Sequence, residues 1–344
     1  MNRTLAVTLL TLMTSACSFI KGGSSLSDDA SQITLDQHPL KKQILEVSNE
    51  EFKRLASYAR VQKLDSFYSD TPHTERYTPW SNIVDNCQNR AMGLQYSLLM
   101  AEDDQLRSQT PDLAASMTAP VMTDYRYNEE QSRQEAIDLM TQKISRDQYT
   151  MATINVTGPL ATQQTLVGKD GSTIGDSNLV FWPYHHGVVL NVEGELKVMD
   201  LSYSDEPIAI ADWFANFTSS DVKCQLVPDV EKNADSPYFI TMTYWRNLFE
   251  FGKVDPWLEE MKEYDCAYTI TPAFKFSSFR DDPNSSILIS YPFSMMSSME
   301  GFKNENKLET EDVPHILSRY ESLSMKDVCE QVSTRNFCKF LGFK

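Results

Sequence analysis

The chain is short of several residue types and patterns, and each shortage removes a class of function. It holds only 5 histidines. Three of them, His38, His73 and His315, lie at no metal-ligand spacing. Its 12 glycines make no phosphate-cradling loop and no dinucleotide fingerprint. No calcium loop is present either, so no cofactor is expected. Positive charge is scarce: 31 Lys and Arg stand against 48 Asp and Glu, a formal net charge of −17. That balance argues against nucleic acid and against anionic membrane surfaces as electrostatic partners. Past the N-terminus no apolar run is long enough to span a bilayer, and no internal repeat is visible. What remains is an ordinary globular composition, 41% apolar and 23% charged over 344 residues. This is enough chain for one large domain or two.

The N-terminus reads as an export signal. Arg3 supplies a positive start, and Leu5 to Met13 is an apolar run too short to cross a membrane. Thr14-Ser15-Ala16-Cys17 then resembles a bacterial lipobox, which would make Cys17 the lipidated first residue of the mature chain. Plain secretory cleavage near Ala16 is the alternative, with a periplasmic or secreted product. Lys21 to Ser31 has the composition of a flexible tether. Ser18, not Asp, follows the cysteine, which points to the outer membrane or cell surface. The remaining cysteines fall in two groups. Cys224, Cys266, Cys329 and Cys338 can make two disulfides in an exported chain. Cys329 with Cys338 closes a short loop and leaves Cys224 with Cys266, although sequence alone leaves the connectivity open. Cys87 is left over, a reactive thiol to be explained.

Pro39 to Gln62 reads as helix, with a capping-box pattern headed by Ser48. Asp85 or Asn86 can cap a second helix on which Cys87, Ala91, Leu94 and Leu98 share one face. In the first turn of that helix, unpaired N–H groups would favour a thiolate. The plainer reading is a small apolar side chain filling core space. Met100 to Pro120 reads as loop, Asn128 to Ile144 as helix, and Met151 to Val156 and Gln164 to Val167 as short strands. Beyond Ser219 come aromatic and alternating runs, such as Tyr238 to Trp245 and Ser286 to Pro292. Ser318 to Phe343 reads as helix.

Trp182 to Asp200 reads as a β-hairpin punctuated by Glu193-Gly194. Pairing around that turn sets Val192 against Glu195, Val189 against Val198, and Gly187 against Asp200. Side chains alternate, so His185 shares a face with Gly187 and Asp200 while His186 points the other way. His185 and Asp200 are one diagonal step apart, about 7–8 Å between backbones. A histidine beside an aspartate is two-thirds of a nucleophilic triad.

The segments Asp85-Asn86-Cys87-Gln88-Asn89-Arg90-Ala91, Trp182-Pro183-Tyr184-His185 and Asp200-Leu201-Ser202, with Pro207 and Trp213 after them, resemble the bacterial protein glutaminase (protein-glutamine deamidase) family. Its elements are Asp-Gly-Cys-x-x-Arg-Ala, Trp-x-Tyr-His and Asp-Pro-Ser. The likeness covers about half the chain, from Leu45 to Phe217. Asn86 and Leu201 depart from the family's Gly and Pro, His186-Gly187 departs from small apolar residues, and the segment between the Cys and His elements is longer. The resemblance implies Cys87 as nucleophile, His185 as base and Asp200 as its orienter, with Trp182 and Tyr184 walling the substrate slot. It implies an α+β fold with a transglutaminase- or papain-like core, the nucleophile helix packed on an antiparallel sheet. The expected organisation is a signal at 1–16, a tether at 17–34, a catalytic domain at 35–217 with an insertion near 101–146, and a C-terminal α+β extension at 218–344. The implied activity is deamidation of glutamine in protein or peptide substrates. A transglutaminase or a papain-like peptidase would use the same triad, and an inactive surface lipoprotein would serve as a binding module.

Overall fold

The computed structural model describes residues 35–44, 46–61, 77–82, 151–228, 235–272 and 299–343, together with Cys87, Arg90, Ala91, Leu94, Gln95 and Leu98. The signal, Cys17, the tether, His73, the caps Asp85 and Asn86, the insertion, the Asn128–Ile144 helix and the Ser286–Pro292 run lie outside the described residues. From Ile33 onward the chain forms one compact unit. Its class is α+β. The strands are β1 (Glu46–Val47), β2 (Ala152–Val167), β3 (Thr173–Val192), β4 (Glu195–Met199), β5 (Ile208–Ala209), β6 (Cys224–Leu226), β7 (Cys266–Pro272) and β8 (Leu317–Ser322). The helices used below are α1 (Asn49–Arg60), α2 (Ile210–Ala215), α3 (Pro237–Phe251), α4 (Pro256–Met261), α5 (Met325–Gln331) and α6 (Asn336–Phe340).

All eight strands join one sheet, in the order β5-β4-β3-β2-β7-β6, with β1 added to β3 and β8 to β2. The β3–β4 hairpin has the expected register: Val192 pairs Glu195 and Val189 pairs Val198. Glu193 and Gly194 both sit in the left-handed region, at φ 53° and 84°, which is what a two-residue hairpin turn of the primed kind requires. The turn also serves α1. The Glu193 carboxylate accepts from the side chain and backbone N–H of Asn49, while Ser48 caps the same helix by accepting from Glu51 N–H at 3.1 Å. The helix expected from Pro39 therefore starts ten residues later. Pro39–Lys42 is a separate 3-10 turn, and β1 intervenes.

Other expectations fail where distant pairing decides. The two short strands expected around Gly158-Pro159 are one strand, β2, whose register against β3 slips between Thr157 and Leu160. The slip leaves Leu160 opposite Trp182 and Val156 opposite His185. The aromatic, alternating run Tyr238 to Trp245 is helical: Ser236 caps α3, Pro237 opens it, and Gly252 ends it in the left-handed region. Ser318 begins in β8, not in a helix. The soft boundary near Phe217 falls within a continuous structure. β7 pairs with Ala152–Thr157 of β2, and β8 with Thr162–Val167. Helices cover both faces. On one, Trp213 and Phe214 of α2 pack with Ile154, Val156, Val189 and Val198. On the other, α3 and α6 pack with Ala161, Leu179 and Phe181. Burying large apolar side chains is worth about 1.5–3 kcal/mol each, so these two layers carry most of the stabilisation.

Cys224 and Cys266 are register partners in β6 and β7 and form one disulfide; Cys329 and Cys338 form the other. Both are consistent with an exported protein. Among the described residues no helix is long and apolar enough to cross a membrane.

Candidate active site

The hairpin is asymmetric, and its asymmetry makes room for a cleft. β4 pairs with β3 only as far as Met199 opposite Val188. Beyond it the chain turns away, with Tyr203 N–H and Ser204 N–H both bonded to Asp200 C=O. The edge of β3 from His185 to Gly187 thus lacks a β4 partner. Cys87, Arg90, Ala91 and Leu94, all helical, line the cleft from one side, and His185–Val188 with Met199–Ser202 line it from the other. The expected apolar face of that helix is buried, with Ala91, Leu94 and Leu98 at most 7% exposed. Cys87 is half-buried and belongs to neither disulfide. The cleft is narrow, about 30 Å³, close to the space of one water molecule.

His185 is held by aromatic rings. Its imidazole stacks on Trp182 at 5.3 Å and on Trp213 at 5.5 Å, and meets the edge of Phe217 at 5.4 Å. Trp182 is therefore a wall behind the histidine, not part of the cleft lining. The register slip in β2 explains how residues of unlike parity share a face. Gly187 completes the packing: a Cβ there would lie 3.0 Å from the Trp213 ring and 3.1 Å from Val198.

Asp200 is on the His185 side, as the alternation predicts, but its carboxylate is occupied. Oδ2 accepts from Trp213 Nε1–H at 2.8 Å, and Oδ1 accepts from the Ser202 backbone N–H at 3.0 Å and from its hydroxyl. Ser202 Oγ in turn meets Tyr320 OH at 2.7 Å. His185 Nδ1 is buried with no hydrogen-bond partner among the described residues. Among the described residues Asp200 and His185 share no direct hydrogen bond, and Asp200 acts on the imidazole through its charge. Burial pushes the His185 pKa down to about 4, Asp200 opposes the fall, and the Arg90 guanidinium adds to it. Arg90 lines the cleft and donates to Asn82 C=O.

The His186 ring turns to the opposite side of the sheet, although the residue also borders the Cys87 cleft. Its Nδ1 lies 2.5 Å from Asn155 Oδ1, and Asn155 Nδ2 donates to Thr271 Oγ1 at 3.1 Å. Burial drives its pKa down to about 3, with His185 adding to the fall. This face holds a larger cavity, about 370 Å³, lined by Tyr184, His186, Asn155, Tyr238 and Thr269 among others. Tyr184, expected at the slot with Trp182, lies here instead. Burial raises the pKa of Tyr184 first, and the nearby Cys87 raises it further; the same pair of causes acts on Tyr238.

Three groups were not legible in advance. Asn155 is a polar residue amid the apolar run of β2, and its partner lies 31 positions away. Tyr320 reaches Ser202 across 118 positions. Arg60 of α1 donates to Leu201 C=O, Pro314 C=O and Asp205, fastening the turn that follows Asp200. Nothing local marks any of them. Among the described residues no group of three or more His, Cys, Asp or Glu side chains is placed to hold a metal ion. Comparison with protein-family models, with curated proteins and with solved structures returns no match.

Proposed function

We propose that this chain is an exported cysteine-dependent amidohydrolase that converts glutamine side chains of proteins or peptides to glutamate, releasing ammonia. The observation that carries the reading is the convergence of Cys87, His185 and Asp200, far apart in sequence, on one cleft. In the resting site burial keeps the imidazole neutral and able to take the thiol proton. The Cys87 thiolate then attacks the carboxamide carbon. The C–N bond breaks, the imidazolium returns its proton to the leaving nitrogen, and ammonia departs from a thioester. Water attacks the thioester, gives its proton to His185, and restores the thiol. The Asp200 charge stabilises the transient imidazolium through space, and the Trp182–Trp213 stack fixes its plane. The mostly antiparallel, mixed sheet with a helix-borne thiol lining a cleft against β3 supports a transglutaminase- or papain-like core. The signal-like N-terminus with Cys17 and the two disulfides support an outer-membrane or cell-surface lipoprotein.

One observation favours a second assignment of the base. His186 lines the same cleft and carries the bonded amide partner, Asn155, that His185 lacks. A Cys87–His186–Asn155 set would perform the same proton transfers.

The test is ammonia release from a glutamine-containing peptide and from a denatured protein by the mature chain and by Cys87→Ser. Release that vanishes in the variant, with the substrate gaining the amide-to-acid mass difference and no crosslinks, establishes deamidation. Crosslinked products would establish acyl transfer to amines, and shortened peptides would establish proteolysis. No reaction of any kind, with slow alkylation of Cys87, would leave a binding protein.

A further inference from the structure

β8 lies outside the stretch that carries the resemblance, yet its side chains reach the candidate site. Gln164 of β2 is the register partner of Tyr320, and Ser318 shares a face of β8 with Tyr320, two residues away. Gln164, Ser318 and Ser202 are 2%, 2% and 4% exposed, and with Tyr320 they form a line that ends at Asp200. Gln164 Nε2 donates to Ser318 Oγ and to Ser81 C=O, each at 2.7 Å. The Ser318 hydroxyl bonds to the Tyr320 phenol. Tyr320 OH meets Ser202 Oγ at 2.7 Å, and Ser202 Oγ meets Asp200 Oδ1.

The direction of every bond follows from the two ends. Ser81 C=O can only accept, which fixes the Gln164 amide with its nitrogen toward Ser318. At the other end the Asp200 carboxylate accepts from Trp213 Nε1–H and Ser202 N–H, and the single hydroxyl hydrogen of Ser202 points to it as well. Ser202 Oγ must then accept from Tyr320, whose only hydrogen is thereby used. Ser318 Oγ accepts from Gln164 and keeps its own hydrogen for the phenol oxygen. Burial and then the Asp200 charge raise the Tyr320 pKa, so the phenol remains a donor. All the hydrogens point toward Asp200, and in such a head-to-tail chain each bond strengthens the next. Holding β8 in place does not require this. Its backbone pairs with β2, and Ser318 N–H donates to Ser202 C=O at 2.7 Å. Apolar side chains would fill the same space without the cost of burying polar ones.

We propose that Tyr320, acting through Ser202, is a positioning residue that sets how much of the Asp200 charge reaches His185, which makes β8 a part of the candidate active site. The proposal rests on the reading of Cys87, His185 and Asp200 as the catalytic set. A strong donor on Oδ1 draws negative charge away from the imidazole, and a weaker one leaves more of it there to favour the imidazolium. The charged and titratable groups facing His185 are Asp200, Arg90 and His186, with Cys87 on the cleft wall. The relay acts on Asp200 alone.

The experiment follows the His185 ring by NMR titration of the full chain, its signal identified by loss in His185→Asn. Tyr320→Phe removes the hydroxyl and keeps the ring that stacks on Tyr203. It should raise the His185 pKa above its starting value of about 4. The expected rise is about 0.5–1, with about 1–2 for Ser202→Ala and the least for Ser318→Ala. In an Asp200→Asn background Tyr320→Phe should move nothing, the mark of coupling through that carboxylate. The acid limb of the kcat/KM profile for ammonia release should shift with His185. A Tyr320→Phe protein that loses Tm while its His185 pKa is unchanged or lowered overturns the proposal. So does a shift as large with Asp200→Asn as without it. If Ser202→Ala does not fold, Tyr320→Phe and Ser318→Ala decide. The expected His185 shifts without ammonia release by the wild type keep the relay and sink the amidohydrolase reading. Ammonia release with the His185 pKa and the pH profile indifferent to Tyr320→Phe sinks the relay and leaves that reading standing.

Discussion

His185 and His186 are neighbours on β3, and the two faces of the sheet treat an imidazole in opposite ways. On one face the ring is clamped between two indoles beside a carboxylate that bonds to other donors, in a cleft of about 30 Å³. On the other face the ring is bonded to an amide and opens on about 370 Å³ lined by uncharged hydroxyls. Both are kept neutral by burial. The difference lies in what can reach them. The first environment suits a proton carrier that must stay still, and the second gives the ring a hydrogen-bonded seat. Cys87 lines the first.

The sharpest way to break this division is to remove each imidazole in turn. His185→Asn should lower kcat by about 10²–10⁴-fold, the scale of lost general acid–base catalysis. His186→Asn should change kcat by less than about tenfold. The reverse result assigns the base to His186 and its Asn155. Asp200→Asn comes next. The neutral amide can accept fully on one oxygen only, which leaves a buried donor of Ser202 or Trp213 unmatched. The expected loss is about 1–3 kcal/mol in urea unfolding, together with a fall in kcat. Gly187→Ala tests the closeness of the first face. The methyl group meets Trp213, Val198 and Ile154 at 3.0–3.2 Å, and overpacking of that kind costs about 1–3 kcal/mol. Crystallographic displacement of the Trp213 ring should accompany it.

A graded effect follows from pH. In the unfolded chain both imidazoles take up protons below about 6.5, whereas the folded chain holds them neutral down to about 4 and about 3. The unfolded state therefore binds more protons throughout that window. Stability is complete above about pH 6.5 and declines as pH falls toward 3. Urea midpoints at several pH values, with histidine ring NMR shifts still neutral at pH 5, check it. The smallest effect belongs to the rim of the larger cavity. Arg246→Gln breaks an exposed i,i+4 pair with Glu250 and should cost no more than about 0.5 kcal/mol. A large loss there would mean that Arg246 has a buried role.

What could be read from the chain alone was what local periodicity governs. The Glu193-Gly194 turn and strict alternation put His185 and Asp200 on one side and His186 on the other, and the spacing of Cys87, Ala91, Leu94 and Leu98 marked a helix face. What could not be read depended on partners far away. Trp182 shares a face with His185 only because β2 carries an extra residue near Gly158-Pro159, a fact of pairing between strands. The carboxylate of Asp200 is claimed by Trp213 and, through Ser202, by Tyr320, so direct contact with His185 could not be judged from the hairpin. Tyr238 to Trp245 showed only an aromatic, alternating run, with no secondary structure assigned to it. The helix signals were at its ends, in Ser236-Pro237 and Gly252.

The position of β2 also sets a timetable. Its edge away from β3 is closed below by β7 and above by β8, with Ala152 facing Pro272 and Val167 facing Leu317. A chain synthesised from its N-terminus reaches those partners late, so Thr162–Val167 of β2 waits with bare N–H and C=O groups until β8 has emerged. Such an edge is a template for pairing with other molecules. A gene interrupted just before Leu317 would therefore yield a sticky, self-associating product, and folding quality control has most to watch in the last part of the message.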